Sequence, residues 1–205
     1  MTTLGNHEVQ PTDAGTPLER YQNYKNFYAA GYPTNGVGGN YEGQVYSFNY
    51  GNAHIVCLSS YQAPFATQTT WLAADLAAAS ADPSIQWIFA FMHSPMYTTS
   101  STHPPDTDEQ AAFGALFDQY HVDIVFAGHN HVYERSKSIV NGAVVADGVG
   151  TVYITNGLGG ANFDPISSHP LFVIEYNTQT VATCISINGS NLTVNTIPNA
   201  TGTPI

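Results

Sequence analysis

Histidine and asparagine recur at the ends of apolar runs in this chain of 205 residues. Asn6-His7 follows a short N-terminal stretch, His93 closes the run IQWIFAFM, and Gly128-His129-Asn130-His131 closes VDIVFA. Imidazole and amide donors of this kind suit Zn, Fe or Mn, whereas an all-oxygen set suits Mg or Ca. In an extended segment, side chains two apart project to the same side, so His129 and His131 can reach one ion or two adjacent ions. Singly the signals carry little: Gly-Asn-His is commonly a turn, and a histidine after a strand is commonly a hydrogen-bonded loop residue. Together, and in this order, Asn6, His93, His129 and His131 predict a metal site at the carboxyl edge of a sheet, where strand ends fix side chains and loops leave room above them.

The elements that must position these residues can be read from periodicity. Pro17 to about Tyr28 predicts a helix, with proline at an opening position and Leu18, Tyr21, Tyr24 and Tyr28 near one face. Gln44 to Tyr50 alternates, a Gly-Asn turn follows, and His54 to Ser59 is apolar, so a hairpin is expected. Thr69 to Ser80 is Ala-rich with Leu72, Leu76 and Ala79 at helical spacing, and Asp82-Pro83 ends it. Ile85 to Met92 is apolar on both faces, as in a central strand covered by helices on one side and a second sheet on the other. A polar loop, Ser94 to Asp108, leads to a helix from Glu109 to Tyr120 with Phe113, Leu116, Phe117 and Tyr120 along one stripe, and Val122 to Ala127 is a second buried strand. Further strands are expected at Thr151 to Thr155, Leu171 to Tyr176, Thr180 to Ile187 and Leu192 to Ile197. No repeat and no linker divides the chain. It reads as a single domain over residues 1–205 of mixed α/β (α+β) class, closing with a polar Asn- and Thr-rich strand and tail over 186–205.

Composition narrows the classes. A chain of this length buries roughly 70% of its unfolded surface, and 43% hydrophobic with 12% aromatic residues excludes disordered, collagen-like and coiled-coil chains. Four cations, Arg20, Lys25, Arg135 and Lys137, face fifteen acids for a formal net charge of −11. Without clustered Lys and Arg, nucleic acid is not a partner and an anionic membrane surface is disfavoured. No apolar run approaches the ~18 residues of a spanning helix. A surface of Ser, Thr, Asn, Gln, Gly and Tyr suits a secreted, extracellular or periplasmic protein, and acceptor sequons at Asn188, Asn191 and Asn199 could carry glycans. MTTLGNHE lacks the basic and apolar regions of a signal peptide, so a leader would be removed or lie on sequence not seen here.

Several residues have plainer readings. Cys57 and Cys184, the two cysteines, each sit in an apolar run and read either as two buried thiols or as one disulfide between strands. His54, His121 and His169 match no ligand spacing and read as structural or solvent-facing. Glu134-Arg135 reads as an ion pair or as a hydrogen-bonding brace for the GHNH loop, with direct contact to a substrate as the alternative.

The stretches GNHE at Gly5 to Glu8, FMHSPMY at Phe91 to Tyr97 and FAGHNHVYERS at Phe126 to Ser136, followed by GTVYITNGLGG at Gly150 to Gly160, resemble the purple acid phosphatases within the calcineurin-like metallophosphoesterases. The resemblance runs along almost the whole chain. It implies a hydrolase of phosphate monoesters working on a small phosphate ester, with two metal ions, Fe with Zn, Mn or Fe, on a two-sheet sandwich flanked by helices. Carried over residue by residue, it places Asn6, His93 and His129 on one ion and His131 on its neighbour. It makes His7 an outer-sphere histidine close to the phosphate, and His103, ten residues after His93, the group that protonates the leaving oxygen. Two ions about 4 Å apart would bind phosphate oxygens, acidify water and stabilise an in-line displacement.

The family's Asp-x-Gly and Gly-Asp-x-x-Tyr motifs, which precede GNH and supply a bridging Asp, a further Asp and a Tyr ligand, do not occur upstream of GNH in this sequence. One imidazole, His131, does not hold an ion firmly by itself. The resemblance therefore implies the second half of the fold, with an exposed sheet to be covered by a missing N-terminal half, a second chain or self-association. An extracellular structural or self-assembling protein derived from a phosphatase, and a metal-binding module without turnover, are the competing expectations.

Overall fold

The structure is a computed structural model that describes residues 2–9, 17–28, 31–200 and 202–205. Its frame is a seven-stranded sheet in the order β1-β2-β3-β4-β8-β5-β9. Strands β2 (Ala53–Cys57), β3 (Trp87–Phe91), β4 (Ile124–Ala127) and β8 (Val152–Asn156) run parallel, while β1 (Tyr46–Tyr50), β5 (Tyr133–Ser136) and β9 (Phe172–Tyr176) run antiparallel to their neighbours. A short ribbon, β6 (Ile139–Val140) with β7 (Ala143–Val144), bridges β5 to β8. The expected hairpin is β1–β2, joined across Gly51, whose φ of 59° is one that glycine adopts without Cβ clash.

Helices α2 (Phe65–Ala81) and α3 (Thr107–Gln119) cover one face. Leu72, Leu76 and Ala79 of α2 and Phe113 and Phe117 of α3 pack on Val56, Ile88, Ala90 and Val125 of the strands, the two helical periodicities meeting the buried faces of parallel strands. Gln68, fully buried in α2, satisfies the chain turn after β2: its Oε1 accepts from Ser59 N at 2.9 Å and its Nε2 donates to the carbonyls of Ser59 and Ala63. Asp106 caps α3, accepting from Glu109 N at 2.9 Å.

The other face receives a second, two-stranded sheet, the hairpin β10 (Val181–Asn188) and β11 (Asn191–Pro198). Val181, Ile185, Ile187, Leu192 and Val194 pack toward Phe89, Ile124 and Ile154, and Trp87 Nε1 donates to the carbonyl of Gly189 at the hairpin turn. The 186–205 segment holds the end of β10, the whole of β11 and the described non-strand residues that follow Pro198. Part of this face has no hairpin residue over it: Thr2, Thr3, Phe48, Ile55, Cys57 and Phe91 line an open cavity of about 500 Å³.

Helix α1 (Pro17–Tyr28) forms where expected, with Tyr21 and Tyr24 buried; the side chains of Leu18 and Tyr28 lie outside the described residues. Cys57 and Cys184 do not pair, and only Cys57 is buried; Cys184 points outward on β10, so the reading of two buried thiols is half right and the disulfide is not formed. His54 is structural: its Nε2 lies 2.8 Å from Asp75 Oδ2 and its Nδ1 2.7 Å from Asn49 Oδ1. Among the described residues no helix is long and apolar enough to cross a membrane.

Glu109 is an uncovered expense in this core. It has no accessible surface, and among the described residues Ser60 is the one side chain that offers its carboxyl a hydrogen bond. Burial pushes its carboxyl up from the ordinary 4.5 to about 8, Ser60 pulling it down and Asp106 adding to the rise. The folded chain therefore holds a proton that the unfolded chain has released, and stability contributed by this group is present below pH 4.5 and is lost as pH rises through about 8. Glu109→Gln is expected to remove this slope. Urea midpoints measured from pH 5 to pH 9 should show the variant gaining steadily on the parent chain; parallel profiles would refute the assignment.

Candidate functional site

Parallel strands deliver their carboxyl ends to one edge, and the predicted residues gather there. His93 follows β3, and the loop Gly128–His131 follows β4, with Gly128 N donating to His93 O at 3.0 Å. Asn6 and His7 lie in a one-turn 3-10 helix, Asn6–Glu8, that crosses above this edge. The turn is fixed by Glu8 Oε2 accepting from Gly5 N at 2.8 Å. A Cβ on Gly5 would lie 2.9 Å from His93 Cε1, so glycine allows the turn to sit against the imidazole.

Asn6 Oδ1 and His93 Nε2 are 2.9 Å apart. The rings of His93 and His129 are 5.1 Å apart and those of His103 and His129 4.2 Å apart, centroid to centroid. Tyr61, in the loop after β2, packs its ring against both His93 and His129 and takes a hydrogen bond from Ser94 Oγ. Ser60 Oγ accepts from the backbone N–H groups of His93 and Ser94 at 3.1 and 3.0 Å. His129 stands at φ 63°, in the left-handed region that non-glycine residues seldom occupy, which turns its ring toward the others.

Burial pulls the imidazoles of both His93 and His129 down to about 4, and neighbouring histidines add to the effect in each. Above that pH both are neutral, with lone pairs to offer. His131 is oriented separately: its Nδ1–H donates to the carbonyl of Asn162 at 2.8 Å, which leaves the lone pair on Nε2, and its backbone N–H donates to Asp164 Oδ2. His7 is exposed on its turn.

The structure thus brings together Asn6, His93, His129 and His103, with His7 and His131 near enough to depress His93 and His129 electrostatically. It corrects the reading of Glu134. Both carboxylate oxygens are occupied by the segment Thr98–Thr99, so the brace runs to the loop after β3 rather than to GHNH itself. Sequence reasoning did not single out Ser60, Tyr61, Asn130, Asp164 or Gly157. Asp164 is a polar residue in a loop, with no pattern to mark it; Asn130 stood inside GHNH and Gly157 inside GLGG, and those motifs were the signals available.

Donor chemistry fits one cation. Imidazole nitrogen and amide oxygen are donors that zinc, iron or manganese takes, and Asn6 Oδ1 stands 2.9 Å from His93 Nε2 in a hydrogen bond that a bound ion would replace. Among the described residues, however, no three His, Cys, Asp or Glu side chains form a cation cage. Among the described residues, His131 is the one candidate that the sequence reading offers a second ion.

The sequence model of the family described as calcineurin-like phosphoesterase matches residues 1–133. The chain belongs to that family. Family members are metallophosphoesterases, and the relatives found include purple acid phosphatase 23 of Arabidopsis thaliana, 37% identical over 164 residues, covering 78% of this chain and 34% of that protein. Another, a phosphoenolpyruvate phosphatase of Allium cepa, is 35% identical over 175 residues, covering 77% and 34%. A solved purple acid phosphatase from yellow lupin (Lupinus luteus) seeds superposes with a TM-score of 0.78 over 100% of this chain and 39% of that one, at 19% identity, which establishes the shared fold. The chain spans about a third of the length of the curated relatives it matches.

The GLGG loop supports the site from below. Gly157 N donates to Val132 O at 3.0 Å, and a Cβ on Gly157 would lie 2.0 Å from Asn130 O. Gly157→Ala is expected to push the GHNH loop from its seat at a cost of about 2 kcal/mol. The check is thermal unfolding together with Co²⁺ titration: both should weaken in the variant, and an unchanged cobalt affinity would show that the loop tolerates the methyl group.

Proposed function

We propose that this chain carries the imidazole and amide half of a phosphomonoesterase site of the purple acid phosphatase type. The observation that carries this reading is the convergence of Asn6, His93 and His129 on one sheet edge, with the His103 ring 4.2 Å from that of His129. Asn6, His93 and His129 would hold one ion, Fe, Zn or Mn by donor type, and His131 would contribute Nε2 to a second. When bound, such ions neutralise phosphate oxygens and acidify water.

The remaining work falls to this chain's own side chains. His103 sits beside His129 at the mouth of the site and would give a proton to the leaving oxygen. His7, on the exposed turn, would face the phosphate from the other side. Tyr61 shields the back of both imidazoles. The carboxylates and tyrosine that would complete a paired site would come from polypeptide outside these residues, and the same polypeptide, a second chain or self-association would cover the cavity at Phe48, Ile55 and Phe91.

A second reading, an extracellular self-assembling protein without turnover, is favoured by that open cavity alone. Secretion is supported by the scarcity of charge and by the exposure of Asn188, Asn191 and Asn199.

Elemental analysis and hydrolysis of a chromogenic phosphate ester test the proposal on this chain and on a version extended upstream. Iron, zinc or manganese is expected on both, turnover on the extended form, and His129→Ala should lower metal content at least tenfold. Metal content unchanged in His129→Ala would remove the ligand assignment, and an extended form with bound metal but no hydrolysis would favour the second reading.

A further inference from the structure

Between β3 and α3 the chain runs without regular structure through Ser94 to Asp106, and His103 lies on this stretch. An irregular segment holds a side chain in place only if its backbone is tied to something rigid. The tie is Glu134. It lies in β5, paired on both sides, opposite Thr155 of β8 and Glu175 of β9, and it has no accessible surface. Its Oε2 accepts from Thr98 Oγ1 at 2.7 Å, and its Oε1 accepts from Thr99 N at 2.7 Å and Thr99 Oγ1 at 2.5 Å. Asn130, next to His129 and fully buried, donates through Nδ2 to Thr98 Oγ1 at 2.9 Å and to the carbonyl of His103 itself at 3.0 Å. Thr98 therefore donates a hydrogen bond to Glu134 while accepting one from Asn130, a chain of polarised bonds running from β5 to the His103 backbone. Asp164 adds a second tie, accepting from Ser100 Oγ and from His131 N.

We propose that Glu134 is a positioning residue for His103: by gripping Thr98 and Thr99, it sets where the His103 ring stands relative to His129. This rests on the phosphomonoesterase reading for its purpose, though not for its geometry. A carboxylate is costly to bury, and apolar packing would stabilise a strand equally well, whereas three directed bonds to one loop fix a position. Glu134 touches no reacting atom and acts only through the loop.

The test uses Glu134→Ala, Glu134→Gln, His103→Ala and the Glu134→Ala/His103→Ala pair. In the chain as it stands, NMR should show Glu134→Ala shifting the His103 ring resonances and raising amide exchange at least tenfold over Thr98–His103, with β3 and β4 amides unchanged and Glu134→Gln intermediate. An unmoved His103 signal, or exchange rising equally through β3 and β4, overturns the proposal. In the form that hydrolyses phosphate esters, Glu134→Ala should lower kcat about 10- to 100-fold for an alkyl phosphate, whose leaving group needs a proton, and under threefold for a nitrophenyl phosphate. It should cause no further loss in the His103→Ala background. Equal losses for both esters, or additive losses in the pair, overturn it. If no form turns over either ester, the phosphomonoesterase reading fails, and the NMR comparison still decides whether Glu134 positions His103.

Discussion

Parallel pairing of β2, β3, β4 and β8 is the constraint from which the site follows. Once these strands share a direction, the residues after each of them must emerge on the same side: Ser60 and Tyr61, His93, the GHNH loop, and the GLGG loop. No single loop then needs to carry a complete set of donors. Each contributes one or two groups from a rigid strand end, and the polar contacts between loops, such as Ser60 Oγ under His93 and Ser94 and Asn130 Nδ2 under His103, set the remaining angles. The helices α2 and α3 make this arrangement possible by covering the face that parallel strands cannot leave wet.

Much of this was readable from the chain alone. Strands Trp87–Phe91 and Ile124–Ala127 announce themselves by apolar runs too short for helices, and α3 by its phenylalanine stripe. The hairpin at Asn52 and the placement of Asn6, His93 and His129 likewise follow from spacing and strand ends. What escaped is β5. Tyr133–Ser136 carries Glu-Arg, which reads as loop chemistry, because its charge is satisfied by Thr98 and Thr99, partners more than thirty residues away that periodicity cannot see. Glu109 was hidden too, because its position on a helix gives no hint that its carboxyl is fully buried beside Ser60, nearly fifty residues earlier in the chain. Cys184 failed in the other direction: VATCISI looks apolar throughout, yet the strand alternates and puts the thiol outside.

The uncovered portion of the second face and the one-sided donor set belong together. Phe48, Ile55 and Phe91 end near Thr2 and Thr3, the residues that lead into the Asn6 turn. The cavity and the Asn6 turn are thus neighbours along one stretch of chain.

The order of strands in the sheet also dictates the order in which the molecule can be assembled. β5 lies between β8 and β9, both of which are synthesised after it. When Tyr133–Ser136 leaves the ribosome, neither of its neighbours exists, and the segment has to wait through some forty residues of nascent chain for Phe172–Tyr176. Pairing across such separations is slow. The far end of the GHNH loop is accordingly anchored late: a stop before Val152 would leave the histidines present in sequence but the strand that follows them without either neighbour, and one between Asn156 and Phe172 would leave that strand paired on one side alone.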